Sequence, residues 1–302
     1  MWLVLSLVAM LCWSGSDLFS KIGCADGKNK TAPLKMLVAV GLVMGLHAGY
    51  GLLFGGVAFS PDALLTYLPV SLLYILSMAI GYLGLRYIEL SVSSPVCNSS
   101  GALVTVLTVL TAGVGGLAAG GLCGAGLCCV GVVALGIVEA KEDPALRAAR
   151  QEKGNFRYSK SVLALLLPVI YCLLDALGTF ADSRVLVYLE EESANTAYEL
   201  TFFAVGLLAA IYLYGIKRER LFEKTSLPRL AGAAFETVGQ VAYIYALADT
   251  AHVALAAPVI SAYCALSVVW GGIFLKERLS FKHYLCIAAV LAGIVLMAVF
   301  EG

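Results

Sequence analysis

The sequence alternates between long apolar stretches and short polar connections. Ten apolar runs stand out between turn-forming or charged residues, and each is read as a helix. Val253–Leu275 holds 23 residues without a charge. At about 1.5 Å per residue, such a helix can cross a bilayer core of roughly 30 Å. The predicted helices are Trp2–Ser20, Met36–Phe59, Ala63–Leu85, Val92–Val114, Leu117–Val138, Ser161–Ala181, Asn195–Ile216, Leu230–Ala248, His252–Leu275 and Phe281–Val299.

The composition agrees with a membrane protein. Of the 302 residues, 61% are hydrophobic and 13% are charged, whereas soluble domains average about 45–50% and about 25%. The sequence therefore predicts an all-α integral membrane protein with ten transmembrane helices. The formal net charge is zero and gives no indication of a nucleic-acid partner. Nine cysteines are an odd number, and most fall inside apolar runs, which favours small buried residues over a disulfide framework.

The basic residues are placed unevenly among the connections. If ten helices alternate across the membrane, 19 of the 20 Lys and Arg residues fall on one side and only Arg184 on the other. None lies deep in a predicted helix. Basic flanks resist translocation, so the basic side is predicted to be cytoplasmic in a cell membrane, with both termini extracytoplasmic. The charged connection at residues 140–160 reads as a solvated linker, with a short amphipathic surface helix as the alternative.

Two segments recur in the second half of the chain. Tyr82–Pro95 matches Tyr245–Pro258, with 13 residues from tyrosine to proline in both, and Trp13–Asp17 matches Tyr171–Asp175 in its aromatic-x3-Asp pattern. Five helices per half is an odd number, so the second half must enter the membrane inverted. Many secondary transporters are built in this way, with binding sites between the repeats.

The repeat also gives the domain boundaries. The first five-helix repeat is predicted at residues 1–139, the linker at 140–160 and the second repeat at 161–302.

Three stretches resemble the EamA-type transporters of the drug/metabolite transporter superfamily. They are CWSGSDLFSKIG near the start, Tyr82–Leu110, and above all Tyr243–Leu296, with Ala-Pro-Val followed by FLKERLS. The resemblance implies ten helices in two inverted repeats and alternating-access transport of a small metabolite through a central cavity. Many family members carry basic residues at the termini and in the second connection, but GGVAFSPDALL has none here. A transport direction therefore cannot be taken over from relatives.

Carboxylates inside apolar helices are the first candidates for a functional site. An acid in hydrocarbon costs on the order of 2.5 kcal/mol on insertion scales, so it usually has a partner or a function. Asp17 and Asp175 are related by the repeat, and Glu236 lies in another helix with Gln240 one turn later. They suit proton exchange or attraction of a cationic substrate, although helix capping or inter-helix hydrogen bonding is an open alternative. Glu199 lies near a helix end and reads as a wetted entrance residue.

Polar and aromatic side chains give further candidates. Asn98 and Ser99 follow Pro95, and Ser261 and Tyr263 follow Pro258, where a proline frees a backbone carbonyl that needs a partner. They are predicted to face a cavity, with helix–helix contact as the alternative. The repeat adds two aromatic candidates to the substrate-binding or coupling set, Trp13 and Tyr171.

These features predict a secondary active transporter for a small polar metabolite, proton-coupled and exporting amino-acid- or amine-like compounds. The alternatives are facilitated uptake or exchange of a neutral sugar or nucleoside and, less favoured, a cation or magnesium channel. An enzyme is not expected, because His47, His252 and His283 are scattered without metal-ligand spacing and no Ser/His/Asp set is present. No cofactor or metal is indicated. The expected partners are a small-molecule substrate, the bilayer and protons, in a monomer or homodimer.

Overall fold

The computed structural model describes residues 1–25, 29–57, 59–112, 118–158, 162–223, 226–247, 259–260 and 262–301. Over these residues the chain forms α-helices and no strand. The helices are α1 (Trp2–Cys24), α2 (Ala32–Leu53), α3 (Pro61–Gly84), α4 (Leu90–Cys97), α5 (Ser100–Ala112), α6 (Ala119–Lys141), α7 (Pro144–Gln151), α8 (Val162–Val185), α9 (Glu191–Ile211, continued by a π-helical turn at Tyr212–Ile216), α10 (Leu227–Leu247), α11 (Tyr263–Phe274) and α12 (Phe281–Glu301).

Eight helical segments in the described part of the chain are long and apolar enough to cross a membrane. The protein is therefore a multi-pass membrane protein, as predicted. α10 has a suitable length but is not among the eight, and it carries Glu236 and Gln240 in its middle. α11 is apolar but short. Much of the ninth predicted helix lies outside the described residues, and so does Ser261.

The long helices pack in pairs that join the two halves of the chain. α1 packs on α10, α3 on α8, α2 on α9, and α6 on α12. Glycines permit two of these close approaches. A Cβ on Gly41 of α2 would lie 2.7 Å from the carbonyl oxygen of Phe202 in α9, and a Cβ on Gly124 of α6 would lie 2.7 Å from that of Gly293 in α12.

The two ends of the bundle differ in charge. At one end, here called the basic end, lie α7 and the connections that follow α1, α3, α9 and α11, linked to one another by hydrogen bonds such as Arg229 Nε to the Gly23 carbonyl at 2.9 Å. At the other, here called the acidic end, lie Glu190 in the connection between α8 and α9 and Glu191 and Glu192 in the first turn of α9.

Two of the differences from the predicted helix boundaries affect the site. The fourth predicted helix is broken after Cys97, where the Ser99 hydroxyl donates to the Val96 carbonyl at 2.6 Å and satisfies a group that the break exposes. α1 continues to Cys24, so Lys21 is helical and fully buried, not part of a connection. Lys21, which the sequence placed in a connection, lies in the last turn of α1, where backbone carbonyls hold its buried ammonium.

The linker between the halves contains α7, an eight-residue helix. The alternative of a short amphipathic helix is the one observed, and the reading as a solvated linker was wrong for Arg147, whose side chain is buried. Asp143 caps the helix through a 2.7 Å hydrogen bond from the Ala145 amide, and Pro144 takes the first position, where no amide donor is needed.

Candidate functional site

A cavity of about 420 Å³ lies in the middle of the bundle, where the two halves meet. Its wall is formed by α1, α3, α4, α8, α9 and α10, together with the first residue of α11. The size falls in the range typical of small-molecule sites. The predicted site residues that line it are Trp13, Asp17, Asn98, Tyr171, Asp175, Glu236, Gln240 and Tyr263.

Helical periodicity explains which side chains reach the cavity. On α8, Tyr171, Asp175, Thr179 and Asp182 line the wall, at spacings of four, four and three residues that keep them on one face. Asp182 was missed from the sequence because it was placed in a connection, although its seven-residue spacing from Asp175 could have identified it.

Asp17 joins three helices at the cavity wall. Its Oδ2 accepts hydrogen bonds from the Ser94 hydroxyl of α4 at 2.5 Å and from the Ser267 hydroxyl of α11 at 2.6 Å. Charge-assisted hydrogen bonds of this kind are about twice as strong as neutral ones. The predicted alternative of inter-helix bonding therefore holds for Asp17, and the residue also faces the cavity.

The other two predicted acids have fewer partners. Asp175 interacts with the Ser100 side chain of α5, and Glu236 interacts with the Ser16 side chain of α1. At the acidic end, the Tyr67 hydroxyl donates to Asp182 at 2.7 Å. Carboxylates thus follow one another along the cavity rather than forming a ring at one level.

Aromatic rings cover much of the wall. Trp13 lies 5.1 Å from Tyr243 and 5.6 Å from Tyr263 between ring centroids, and Tyr74 lies 6.1 Å from Tyr198. The rings that line the cavity are Trp13, Tyr67, Tyr74, Tyr82, Tyr171, Tyr198, Tyr243 and Tyr263.

Among the residues that the structure describes, three polar atoms in this wall are buried without a hydrogen-bond partner. They are Trp13 Nε1, Ser20 Oγ and Tyr82 Oη. Ser20 is 2% exposed and Tyr82 is 6% exposed. Buried polar groups are rarely left unpaired in proteins, so their position in one cavity wall indicates a ligand or water site.

At the basic end the cavity wall is made by the buried residues Leu85 and Leu90, and Lys21 packs behind them. Its ammonium donates to the carbonyl oxygens of Leu85 and, at 2.5 Å, Ile88, and it lies 4.2 Å from the centroid of the Tyr158 ring. These groups are buried, whereas Glu191 at the opposite end of the cavity wall is exposed. The cavity is thus open toward the acidic end.

Glu277, which follows α11, supports this closure. Its carboxylate accepts from the Leu90 amide at 2.8 Å and the Ser91 amide at 2.9 Å, which caps the N-terminus of α4. The Tyr158 hydroxyl also donates to it at 2.9 Å. Burial, reinforced by the Glu277 carboxylate, raises the pKa of Tyr158 above its ordinary value. The phenol therefore stays protonated and remains a donor.

Arg147 of α7 ties the linker to the same end. Its guanidinium contacts Glu89 at 3.2 Å and pairs with Glu139 of α6. Glu139 also bonds Nε2 of His283 at 2.9 Å, so His283 is not isolated as its position in the sequence suggested. Glu139, Glu142 and His283 have the spacing of a metal site. Arginines already neutralise both carboxylates, since Glu142 is held by a guanidinium at 2.8 Å, and this favours an ion-pair network.

Two of the remaining predicted residues lie outside the cavity wall. Ser99 is buried, with its hydroxyl 3.4 Å from Cys172 Sγ. Glu199 is 1% exposed and bonds His47 Nδ1 at 2.9 Å. The expectation of a wetted entrance residue was wrong for Glu199, because helix packing between α2 and α9 covers it.

Comparison with known proteins gives a family for the second half of the chain. No curated protein gives a significant match. Residues 162–299 match the model of the EamA-like transporter family. The resemblance inferred from the sequence is confirmed, and the family suggests a membrane transporter of the drug/metabolite type. The matched residues hold α8–α12, which supply half of the cavity wall, and this second half of the chain is similar to the EamA-like transporter family.

Proposed function

We propose that the protein is a secondary active transporter that moves a small polar metabolite by alternating access, coupled to protons. The observation that carries this proposal is a cavity lined by carboxylates, open at one end and closed at the other by buried side chains that Lys21 packs behind. A site accessible from one side at a time is what alternating access requires. Asp17, Asp175 and Glu236 are the groups that exchange protons or bind substrate.

Helix packing supports an inverted repeat. Suppose that a twofold axis relates α1 to α8, α2 to α9 and α3 to α10. The axis then carries the contact between α1 and α10 onto a contact between α8 and α3. It carries the contact between α2 and α9 onto itself. The observed pairs are those that a twofold relation requires. Rocking of one five-helix unit on the other would then open the basic end and close the acidic end.

The orientation follows from charge placement. We infer that the basic end is cytoplasmic and both termini are extracytoplasmic, so that the cavity faces the outside in this conformation. A cysteine at position 278 tests this, since Arg278 is exposed. Lys276 is a poorer choice because its φ of 57° suits few side chains. With the nine native cysteines replaced, an impermeant maleimide should label Arg278→Cys only in opened cells. Labelling of intact cells would overturn the orientation.

Proteoliposomes test the transport proposal. An imposed pH gradient should drive accumulation of a substrate identified by binding, and Asp17→Asn or Asp175→Asn should reduce this accumulation at least about tenfold. Glu199→Gln is the matched control, because Glu199 is a buried carboxylate outside the cavity wall. Equilibration without accumulation would support the alternative of facilitated sugar or nucleoside transport. Wild-type accumulation in both aspartate variants would refute their role.

A further inference from the structure

The charges of the cavity wall are of one sign. Five acidic residues line it, namely Asp17, Asp175, Asp182, Glu191 and Glu236. Among the described residues, no Lys, Arg or His faces them in the wall. Lys21, a buried basic group outside the wall, donates to backbone carbonyls behind the closed end. A substrate carboxylate or phosphate would therefore enter an anionic cavity without a cationic partner, and like charges at close range are costly.

The aromatic wall adds a second preference. Tyrosine and tryptophan faces are negatively polarised and attract cations, by about 0.5–2 kcal/mol depending on desolvation. The Trp13 ring of α1 lies 5.1 Å from Tyr243 of α10 and 5.6 Å from Tyr263 of α11 between ring centroids. They also offer an apolar surface to the body of a ligand.

The position of a cationic head group is indicated by the unpartnered hydroxyls. Ser20 Oγ and Tyr82 Oη are buried in the wall toward the basic end. Asp17 and Glu236 lie close enough to act on the Tyr82 phenol electrostatically, and Asp17 acts on Glu236 as well. Hydroxyl oxygens and carboxylates are acceptors, and a primary ammonium brings three N–H donors. The ammonium of a ligand could therefore donate hydrogen bonds to these hydroxyl and carboxylate oxygens.

We propose that this cavity binds a primary amine in its protonated form, attached to an apolar or aromatic body, with the ammonium at Asp17, Glu236, Ser20 and Tyr82. The proposal rests on the proposed transport function for its biological meaning, but the binding itself needs no gradient. The proposal narrows the predicted substrates from amino-acid- or amine-like compounds to amines. An amino acid would also bring a carboxylate, and the described wall has no cationic side chain to pair with it.

Calorimetric titration in lipid nanodiscs tests the proposal with four probes of similar size: phenethylamine, 2-phenylethanol, phenylalanine and phenylacetate. Phenethylamine should bind at least about tenfold more tightly than the other three, which corresponds to about 1.4 kcal/mol. Glu236→Gln should weaken phenethylamine binding by about tenfold or more, because a hydrogen bond to a charged group is worth about 1.5–3 kcal/mol. Tyr82→Phe should weaken it about threefold to tenfold.

Controls separate the site from general loss of structure. Glu199→Gln and Tyr50→Phe change the same chemical groups outside the cavity wall and should leave binding unchanged. Equal affinity for 2-phenylethanol or phenylalanine would overturn the cation preference, as would no detectable phenethylamine binding at about 10 mM, a concentration that would reveal even a millimolar affinity. Wild-type affinity in a folded Glu236→Gln protein would overturn the assigned position. Binding without gradient-driven transport would refute the proposed function alone.

Discussion

Removal of the Lys21 side chain should open the basic end of the cavity. The ammonium is fully buried and donates to the carbonyls of Leu85 and Ile88, with the Tyr158 ring 4.2 Å away. If these contacts exist only while the basic end is closed, their loss shifts the equilibrium toward the opposite conformation. Alanine is a better replacement than methionine, because a buried methionine side chain would itself stabilise the closed form and mask the loss of the ammonium contacts.

The magnitude follows from opposing contributions. Two hydrogen bonds from a charged donor are worth about 3–6 kcal/mol together, and the cation–π contact about 2 kcal/mol. Desolvation of the ammonium costs several kcal/mol in the closed form and offsets most of this gain. A net preference of about 2 kcal/mol remains, so Lys21→Ala should raise the population open at the basic end about 30-fold.

Accessibility of Cys97 reports this shift, because Cys97 lines the cavity. With the other eight cysteines replaced, an impermeant maleimide supplied at the basic end should label Cys97 about 30-fold faster in Lys21→Ala than in its parent. Lys35→Ala is the matched control, since Lys35 is also buried near this end but pairs with Glu219 at 3.1 Å, away from the cavity. Equal labelling rates in Lys21→Ala and the parent would refute the closure.

Two other changes test the packing around the site. Arg147→Leu should lower the melting temperature, by the equivalent of about 3–5 kcal/mol, because it leaves Glu89 and Glu139 buried without their guanidinium; adding Glu89→Met and Glu139→Met should restore part of the loss. Gly239→Ala should weaken phenethylamine binding about tenfold, because its Cβ would lie 2.5 Å from Trp13 Cδ1 and displace the indole.

Matched substitutions show whether these effects are local. Arg157 is exposed, and Arg157→Leu should leave the melting temperature within about 0.5 kcal/mol of the parent. A Cβ on Gly126 would meet open space, so Gly126→Ala should not affect binding. Melting of Arg147→Leu at the parental temperature would contradict the buried ion-pair account. Unchanged affinity in Gly239→Ala would contradict a role for the Trp13 ring.

Sequence reasoning identified the parts of the fold that depend on local pattern. Apolar run length predicted the membrane helices, and the aromatic-x3-Asp repeat predicted Asp17 and Asp175, which do line one cavity. Lys21 could not be placed from the sequence, since its burial depends on carbonyls 64 and 67 residues later in the chain. The role of Glu277 could not be predicted from the sequence either, because nothing local shows that its carboxylate caps α4.

The Glu277 cap also has a consequence for biogenesis. The first amides of α4 find their acceptor in a residue that is synthesised 187 positions after Leu90. Until α11 and the segment after it have left the ribosome, the N-terminus of α4 lacks its carboxylate. The first half of the chain should therefore reach its final packing only after the second half has inserted, and a nascent chain truncated before Glu277 should remain a substrate for quality control.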